Sequence, residues 1–494
     1  MKTPPNKKRF LFIKPPDHNK RIEHVGIYFL RGFLQDKEHQ TEFLNFHKIL
    51  RKNKNFTKGE LDKPLNSYIK KLLDKQKINL NNIDAAGFYG LFFHYFYEKI
   101  WPAAYELEKE EKKVFCSNLS KFEKTDYVGI SIGSSYQFLF SLSLCDYIKN
   151  NCKNSPEVIL GGSFVTRDYS NLIRLLEKNP IVDYLVVGEG EFPLHFLAEK
   201  KEKSKIPGLI YLKNKKYVYS KNLTHSEDIN EFSPPFFEKE NKIKFLRATN
   251  KCYWGRCAFC SLGDEKNRAK TASNIRQAEL VIKDIKKNIN AKSMKDNRFV
   301  FCDAALPVNF VKNLSEELIK DKGLKIKFAG YMRFEKNIDY AFLAKAKRAG
   351  LETIGFGMET SSKRLLKLIE KGIDVDTSLK IIDMCSKLNI KIVLSFIICL
   401  PTQTKKELRE DLIFIKNLSK KYKNIIFSII PFFLDRQSKI FLFPEKYGLR
   451  INKIPGRGIS GLIDEKNISR EEAAEIASDV FKKTTKNIKI HWKM

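Results

Sequence analysis

Apolar and polar positions along the chain alternate in two different rhythms, and together they predict two successive α/β regions. Arg9–Ile13 (RFLFI) is a short apolar run ending at Pro15–Pro16 and predicts a strand. Val25–Leu34 has helical spacing, and Thr41–Phe46 predicts a second strand. The alternation then resumes with a strand at Tyr127–Ser131, a helix over Gln137–Lys149 and a strand at Glu157–Leu160 that stops at Gly161–Gly162. Another strand at Tyr184–Val187 is followed by a helix through Ala198. Gly208–Ser220 predicts a hairpin closing this region, and the polar stretch Ser226–Asn241, with Pro234–Pro235, predicts a linker. Glycines at strand ends in such an alternation point to an open parallel sheet that binds ligands at the carboxyl ends of its strands.

From Lys242 the pattern becomes regular. Strand-like runs lie at Lys244–Ala248, Arg298–Cys302, Lys325–Ala329, Thr353–Gly357, Lys391–Ile398 and Ile425–Ile430. Helical patterns separate them: Ile275–Ile289 after Ser273, Ile338–Ala349 closed by Gly350, and a third after Thr404. In that third helix Glu407 completes a capping box, and Leu408, Leu412, Ile415 and Leu418 share one face. Six strands with crossover helices predict a parallel β/α barrel or partial barrel, with its chemistry at the C-terminal strand ends. Ser469–Lys483 predicts a helix in the tail. The expected division is 1–225 as a Rossmann-like domain, 226–241 as linker, 242–435 as barrel and 436–494 as a small C-terminal helical extension.

Composition changes this picture little. The chain has 494 residues, 43% of them hydrophobic, enough for more than one packed core. No apolar run approaches the ~18 residues of a membrane span, and the basic Met1–Arg9 is not followed by a signal core, so the expectation is a cytoplasmic protein without a membrane partner. The net charge of +33 raises the question of nucleic acid. Lysine far outnumbers arginine and is scattered through every segment, which disfavours a nucleic-acid partner and favours a solvated basic surface. The aromatic run Tyr89–Tyr105 is expected in a core or domain interface.

Cysteine usage does change it. Six of nine cysteines are scattered, and three fall in the run Lys251-Cys-Tyr-Trp-Gly-Arg-Cys-Ala-Phe-Cys260, directly after the first barrel strand. Three thiolates on one loop can ligate three irons of a cubane cluster and leave the fourth iron open for a bidentate small molecule. A structural zinc site would want four closed ligands, and no fourth Cys or His lies close in sequence.

This loop resembles the cysteine triad of the radical S-adenosylmethionine (SAM) superfamily, with an aromatic residue, Phe259, before the last cysteine. The usual gaps are three and two residues; here they are four and two. Further stretches resemble that family in the same order. Cys302-Asp303-Ala304 matches the polar patch for the SAM amino group, and Gly330-Tyr-Met-Arg333 the strand-end arginine. Gly355-Phe-Gly-Met-Glu359 matches the stretch whose acidic residue faces the SAM ribose and leads to Glu370-Lys-Gly372. Ser395-Phe-Ile397 begins the pattern that contacts adenine, where Cys399 stands in place of the usual Gly. Pro444–Gly448 resembles a stretch found after the barrel in cobalamin-associated members. The resemblance implies Cys252, Cys257 and Cys260 as catalytic and metal-ligating residues of a 4Fe–4S cluster. It implies Phe259, Asp303, Arg333, Glu359, Ser395 and Ile397 as contacts to SAM, and a flavodoxin- or ferredoxin-type electron donor as partner.

The N-terminal region, through Tyr127–Ser131, Leu160-Gly-Gly-Ser163 and Val187-Gly-Glu-Gly-Glu191, resembles the cobalamin-binding domain that precedes many radical SAM barrels. The resemblance implies Ser131, Ser134, Gly161 and Gly162 as cobalamin contacts. The Asp-x-His-x-x-Gly signature that supplies a lower cobalt ligand is absent. The implied function is SAM cleavage coupled to cobalamin-dependent methyl transfer to an unactivated carbon of a small-molecule or peptide substrate. The peptide option follows from Tyr89–Tyr105 and the Trp-Gly of the cysteine loop, which resemble radical SAM peptide maturases. The alternatives are radical SAM oxidation or rearrangement without methyl transfer, a bare Rossmann-like cover over the barrel, and a binding protein without catalysis. A methylthiotransferase would need a second triad, for which Cys116, Cys145 and Cys152 are spaced too widely.

Overall fold

The structure is a computed structural model, and it describes residues 7–16, 24–52, 109–221, 228–238, 241, 243–262, 274–289, 297–435, 437–454, 458–463, 468, 470–481 and 488–490. The aromatic run Tyr89–Tyr105 lies outside these residues. The described residues form two compact units: 7–221 with Phe232–Phe236, and Asp228–Glu231 with everything from Phe237 onward.

The first unit is a seven-stranded sheet. Its strands are β1 (Arg9–Lys14), β2 (Gln40–Asn45), β3 (Tyr127–Ser131), β4 (Glu157–Gly161), β5 (Tyr184–Val186), β6 (Leu209–Lys213) and β7 (Lys216–Tyr219), in the order β2-β1-β3-β4-β5-β6-β7. The first five are parallel, and β6–β7 is the expected antiparallel hairpin. β1 is apolar on both faces because it sits between β2 and β3 with helices on either side, so Phe10, Leu11, Phe12 and Ile13 are all buried. The chain leaves β1 toward one edge and returns at β3, so the ends of β1 and β3 form a topological switch point, where open sheets take ligands. Helix Ser163–Leu176 starts at Gly162, whose φ of +98° and approach to Ile132 O (2.6 Å from an added Cβ) admit only glycine. Part of the Pro-rich stretch is folded rather than free chain: Phe232 packs on Phe33 and Phe192, and Phe236 N–H donates to Tyr28 O at 2.9 Å.

The second unit is built on β8 (Ile243–Leu246), β9 (Arg298–Phe301), β10 (Lys327–Met332), β11 (Leu351–Glu359), β12 (Lys391–Ile398) and β13 (Ile425–Pro431), side by side in chain order and all parallel. This is the expected partial (β/α) barrel. Alternate residues such as Phe328, Ile354, Phe356, Ile392, Leu394 and Phe427 pack onto the crossover helices. The intervening set, including Tyr331, Gly355, Ser395 and Ser428, faces the other way. Thr404 and Glu407 form the capping box of helix Lys405–Lys421, and Gly350 (φ +112°) ends helix Tyr340–Arg348. The tail adds more than a helix. Residues Arg450–Ile454 (β14) and Gly458–Ile463 (β15) form a hairpin, helix Arg470–Phe481 lies along Lys405–Lys421 through Arg409–Asp479 (2.8 Å), and Ile488–Ile490 (β16) joins the sheet beside β13. Three residues of strand are too short for hydrophobic periodicity to reveal. No helix among the described residues is long and apolar enough to cross a membrane.

A histidine relay ties the first unit together and sets a pH dependence. Lys8 N–H donates to His39 Nδ1 (3.3 Å), so His39 carries its proton on Nε2 and donates it to His195 Nδ1 (3.2 Å), while His195 Nε2 lies 3.4 Å from Glu199. Burial first, and the neighbouring His195 second, hold His39 at about 4, against the opposing pull of Glu199. The folded chain therefore refuses a proton that the unfolded chain accepts below about 6.5. The relay's contribution is fully present above that value and is lost as pH falls toward 4. Urea unfolding of the native protein and of His39→Gln should show a smaller loss of stability between about pH 7.5 and pH 5 in the variant. Parallel losses would remove His39 from the account.

Candidate active site

The cysteine loop leaves β8 and is held at nearly every step. Ala258, between two of the cysteines, donates its N–H to Ile369 O (2.8 Å) and accepts from Ile440 N–H (3.0 Å). Cys260 N–H closes a turn onto Cys257 O (3.2 Å), and Leu262 N–H reaches Cys260 Sγ at 3.4 Å. Cys252, Cys257 and Cys260 are free and half-buried. Burial raises the Cys257 thiol, against the cations of Lys371 and Arg333, and raises Cys260 to about 11. Metal binding at these sulfurs must therefore release protons. Among the described residues no three His, Cys, Asp or Glu side chains converge on one metal ion. A cubane does not ask for that, because each thiolate binds a different iron.

The long first gap of the motif has a structural use. Gly255 turns at φ +54°, and Trp254 lies flat against Gly372, where an added Cβ would stand 2.2 Å from the indole. Trp254 Nε1–H donates to Glu370 O (3.2 Å), and the Arg333 guanidinium stacks over the ring at 3.9 Å. Tyr253 Oη donates to Glu335 Oε1 at 2.6 Å. The longer gap thus holds two aromatic anchors, Tyr253 and Trp254, that fasten the loop to the segment after β10 and to Glu370–Gly372 beyond the helix Lys363–Leu368.

Arg333 and Glu359 come together around Lys371, a residue the sequence reading passed over. Arg333 Nη2 donates to Lys371 O at 2.7 Å; its Nε is buried with no hydrogen-bond partner among the described residues, and Glu335 Oε1 is 3.9 Å away. Lys371 Nζ donates to Glu359 Oε1 at 2.6 Å, with both side chains buried, and lies 5.8 Å from the Phe259 ring centre. Glu359 sits at a register shift between β11 and β12 with φ +65°. It is neither solvated nor a helix cap: Ser362 caps the following helix. Glu359, Glu370, Cys399 and Thr402 all have φ between +52° and +65°, a concentration of backbone strain at these strand ends. Cys399 therefore occupies a left-handed position, which glycine would adopt without strain.

Asp303 is tied to the backbone at the start of the cysteine loop. It is buried, with Ala248 N–H on both carboxyl oxygens (3.0 Å each) and Thr249 N–H and Oγ1–H on Oδ1. Burial raises it to about 6 against these bonds. Its oxygens hold the backbone just past β8 where the cysteine loop begins, so it positions that loop. Ser395 is half-buried, between Gly357 and Ser428. Ile397 joins Leu365, Ile369 and Leu400 in an apolar cluster that also packs Phe259, so these two predicted contacts meet.

In the first unit, Ser131, Ser134 and Gly161 cluster at the ends of β3 and β4. Ser134 Oγ is buried without a hydrogen-bond partner among the described residues, and an added Cβ at Gly161 would meet nothing closer than Val186 O at 3.8 Å among them. An orphaned hydroxyl just after β3 and an open glycine at the end of the adjacent β4 fit a polar ligand at these strand ends. Gly162 is different: its glycine is already required by the backbone of Ile132.

Residues 246–415 match the Radical SAM superfamily. The chain carries a radical SAM domain. An uncharacterized methyltransferase of Pyrococcus horikoshii is 26% identical over 319 residues, covering 62% of this chain and 66% of that protein. A putative methylthiotransferase of Methanocaldococcus jannaschii is 26% identical over 305 residues, covering 58% and 64%. The chain thus spans slightly less than two thirds of these relatives' lengths. Among solved structures, the radical SAM methyltransferase TsrM of Kitasatospora setae, with cobalamin and a [4Fe–4S] cluster, aligns at TM-score 0.62 and 15% identity over 91% of this chain and 82% of its own. The cobalamin-dependent SAM radical enzyme OxsB aligns at TM-score 0.59 and 15% identity over 89% and 56%. At such identities these likenesses establish the fold. The family brings with it a 4Fe–4S cluster and SAM.

Within the radical SAM domain, Asp411 is a second residue missed in the sequence. It is buried on helix Lys405–Lys421 and takes Thr360 Oγ1 (2.8 Å), Ser361 N and Oγ (both 2.6 Å) and Gln403 Nε2 (3.0 Å). It thereby ties the segment after Glu359 to the one after Cys399. A Thr-Ser after a strand and an Asp in a helix are each too common to attract notice in sequence.

The Lys371–Glu359 pair makes a testable demand on stability. Glu359→Ala leaves a buried ammonium unpaired and should cost about 3–5 kcal/mol, read as a lower denaturation midpoint. Adding Lys371→Met should return most of the loss. A Glu359→Ala protein as stable as the native one would mean that Lys371 finds water instead.

Proposed function

We propose that the chain cleaves SAM reductively and, with cobalamin, transfers a methyl group to an unactivated carbon of a small-molecule or peptide substrate. When bound, a 4Fe–4S cluster supplies the electron that splits SAM into methionine and a 5′-deoxyadenosyl radical, and cobalamin supplies the methyl carrier. Cys252, Cys257 and Cys260 would hold the cluster. Arg333, whose Nε is orphaned, and Glu359, shared with Lys371, offer a cation and an anion to the zwitterionic methionine moiety and the ribose. Phe259, Ile397 and Ser395 would line the adenine side and exclude water. Asp303 acts one step back, by holding the loop. Ser131, Ser134 and Gly161 would receive cobalamin in the N-terminal region, with residues 242–435 as the catalytic domain. Nine cysteines without a disulfide suit a reducing, cytoplasmic setting.

The observation that carries the cluster is the pinned loop with three free thiols beside two buried cations. Methyl transfer is supported by the named methyltransferase relative and by the fold shared with cobalamin-dependent enzymes. A methylthiotransferase reading finds no second triad in Cys116, Cys145 and Cys152: Cys145 is wholly buried in helix Ser135–Asn151, while Cys116 is exposed with its Sγ 3.0 Å from Tyr147 Oη.

Anaerobically reconstituted protein should take up about four irons per chain and convert SAM to 5′-deoxyadenosine or, as a methylase, also to S-adenosylhomocysteine. Cys257→Ala should abolish both. Stoichiometric zinc in the native protein, with no iron uptake, would sink the cluster.

The cobalamin arm is tested at Gly161. Its Cβ direction is open, so Gly161→Leu should fold and keep its iron yet lose hydroxocobalamin uptake, because the added side chain fills the approach. The native protein's bound cobalamin should lack the spectrum of a histidine-ligated cobalt. Failure of the native protein to take up cobalamin would reduce the reading to radical SAM chemistry without a corrinoid.

A further inference from the structure

Between β13 and β14 the chain folds against the cysteine loop. Ser438 caps the short helix Lys439–Leu442, and buried Ile440 donates its N–H to Ala258 O. Lys439 Nζ reaches Arg256 O (3.1 Å) and Glu370 Oε2 (2.7 Å), and Tyr447 Oη takes the other oxygen of Glu370 at 2.7 Å. Ala258, Leu434, Ile440, Tyr447 and Leu449 share an apolar cluster beneath. The next two residues on this fastened segment do the opposite: Leu442 is 57% and Phe443 61% exposed, the two most exposed large apolar residues among those described. Leu262, two positions past Cys260, is 36% exposed. An adjacent Leu-Phe pair exposed on backbone bonded to the cysteine loop leaves apolar surface in water that a partner could cover. The segments that meet in this cluster carry exposed cations: Arg256, Lys446, and Lys363 and Lys367 of the helix whose Leu368 packs in it. Glu370 is already neutralised by Lys439, which leaves Glu445 as the exposed acid of the segment.

We propose that Leu442–Phe443 with its basic surround docks an acidic one-electron carrier protein of the flavodoxin or ferredoxin class. The proposal rests on the reading that the three cysteines hold a reducible cluster. The electron enters from the carrier and reduces that cluster by one unit, the carrier being oxidised by one. Three observations select this occupant. The segment is bonded directly to Ala258, between two of the three cysteines, so a carrier seated there lies beside the acceptor. The exposed Arg256, Lys363, Lys367 and Lys446 favour an acidic partner, and charge of this kind raises association rate more than affinity. The apolar patch is small, as suits a transient redox contact.

The test uses the anaerobic holoenzyme and an acidic flavodoxin in its hydroquinone form. Cluster reduction by flavodoxin, followed by EPR and stopped-flow absorbance, should slow by about tenfold or more in Leu442→Asp/Phe443→Asp and less in Lys446→Glu. The native rate should fall between about 50 and 500 mM salt. Flavodoxin binding should weaken in parallel, while dithionite-driven cluster reduction and SAM cleavage stay unchanged in both variants. Flavodoxin rates equal in all three proteins overturn the docking surface while leaving the cluster standing. A native dimer that the double variant dissociates, with flavodoxin rates unchanged, assigns the patch to a second copy and overturns it too. A native protein whose iron dithionite cannot reduce overturns the cluster reading and this proposal with it.

Discussion

Three consecutive residues, Glu370, Lys371 and Gly372, hold the candidate site together, and the buried Lys371–Glu359 pair is their centre. The Lys371 side chain holds β11 through Glu359, and its carbonyl holds β10 through Arg333. Glu370 O and the bare face of Gly372 receive Trp254 from the cysteine loop. A buried ammonium without its carboxylate would be far costlier than the pair is favourable, so the arrangement works as a constraint on position more than as a source of stability. Strand ends and loop cannot drift apart without exposing or stranding a charge.

That constraint is accompanied by strain. The left-handed backbones of Glu359, Glu370, Cys399 and Thr402 each cost free energy that a relaxed chain would avoid, and they persist because the surroundings over-determine them. Asp411 supplies part of that determination by engaging Thr360, Ser361 and Gln403 from within the packed face of a helix. Asp303 supplies another part at β8. Both carboxylates are raised by burial, and both are held by several donors, as expected of groups whose work is to orient backbone.

The large positive charge divides into two kinds of cation with different physics. Most of the described lysines are exposed, and salt screens them within about 8–10 Å. Arg333 and Lys371 are buried next to half-buried thiols and act in a low-dielectric setting, where a cation can favour thiolate and bind an anionic ligand group. Composition counts both kinds alike; only burial separates them.

The sequence by itself determined the elements whose signals are local. Period-two and period-3.6 patterns mark β1, β3, β12 and helix Lys405–Lys421 within a residue or two, because burying one face forces the pattern, and Thr404–Glu407 marks its cap because a capping box needs only four residues. The clustered cysteines and the Gly-rich strand ends were legible for the same reason. Tertiary structure decided what depends on distant partners. It bound Asp303 to the amides of Ala248 and Thr249 just past β8, and it showed that the backbone of Ile132 by itself requires glycine at Gly162. It brought Lys371 to Glu359 across a register shift that no periodicity records. It also drew Ile488–Ile490 into the barrel sheet, since pairing with an existing edge can stabilise three residues that could not specify a strand alone.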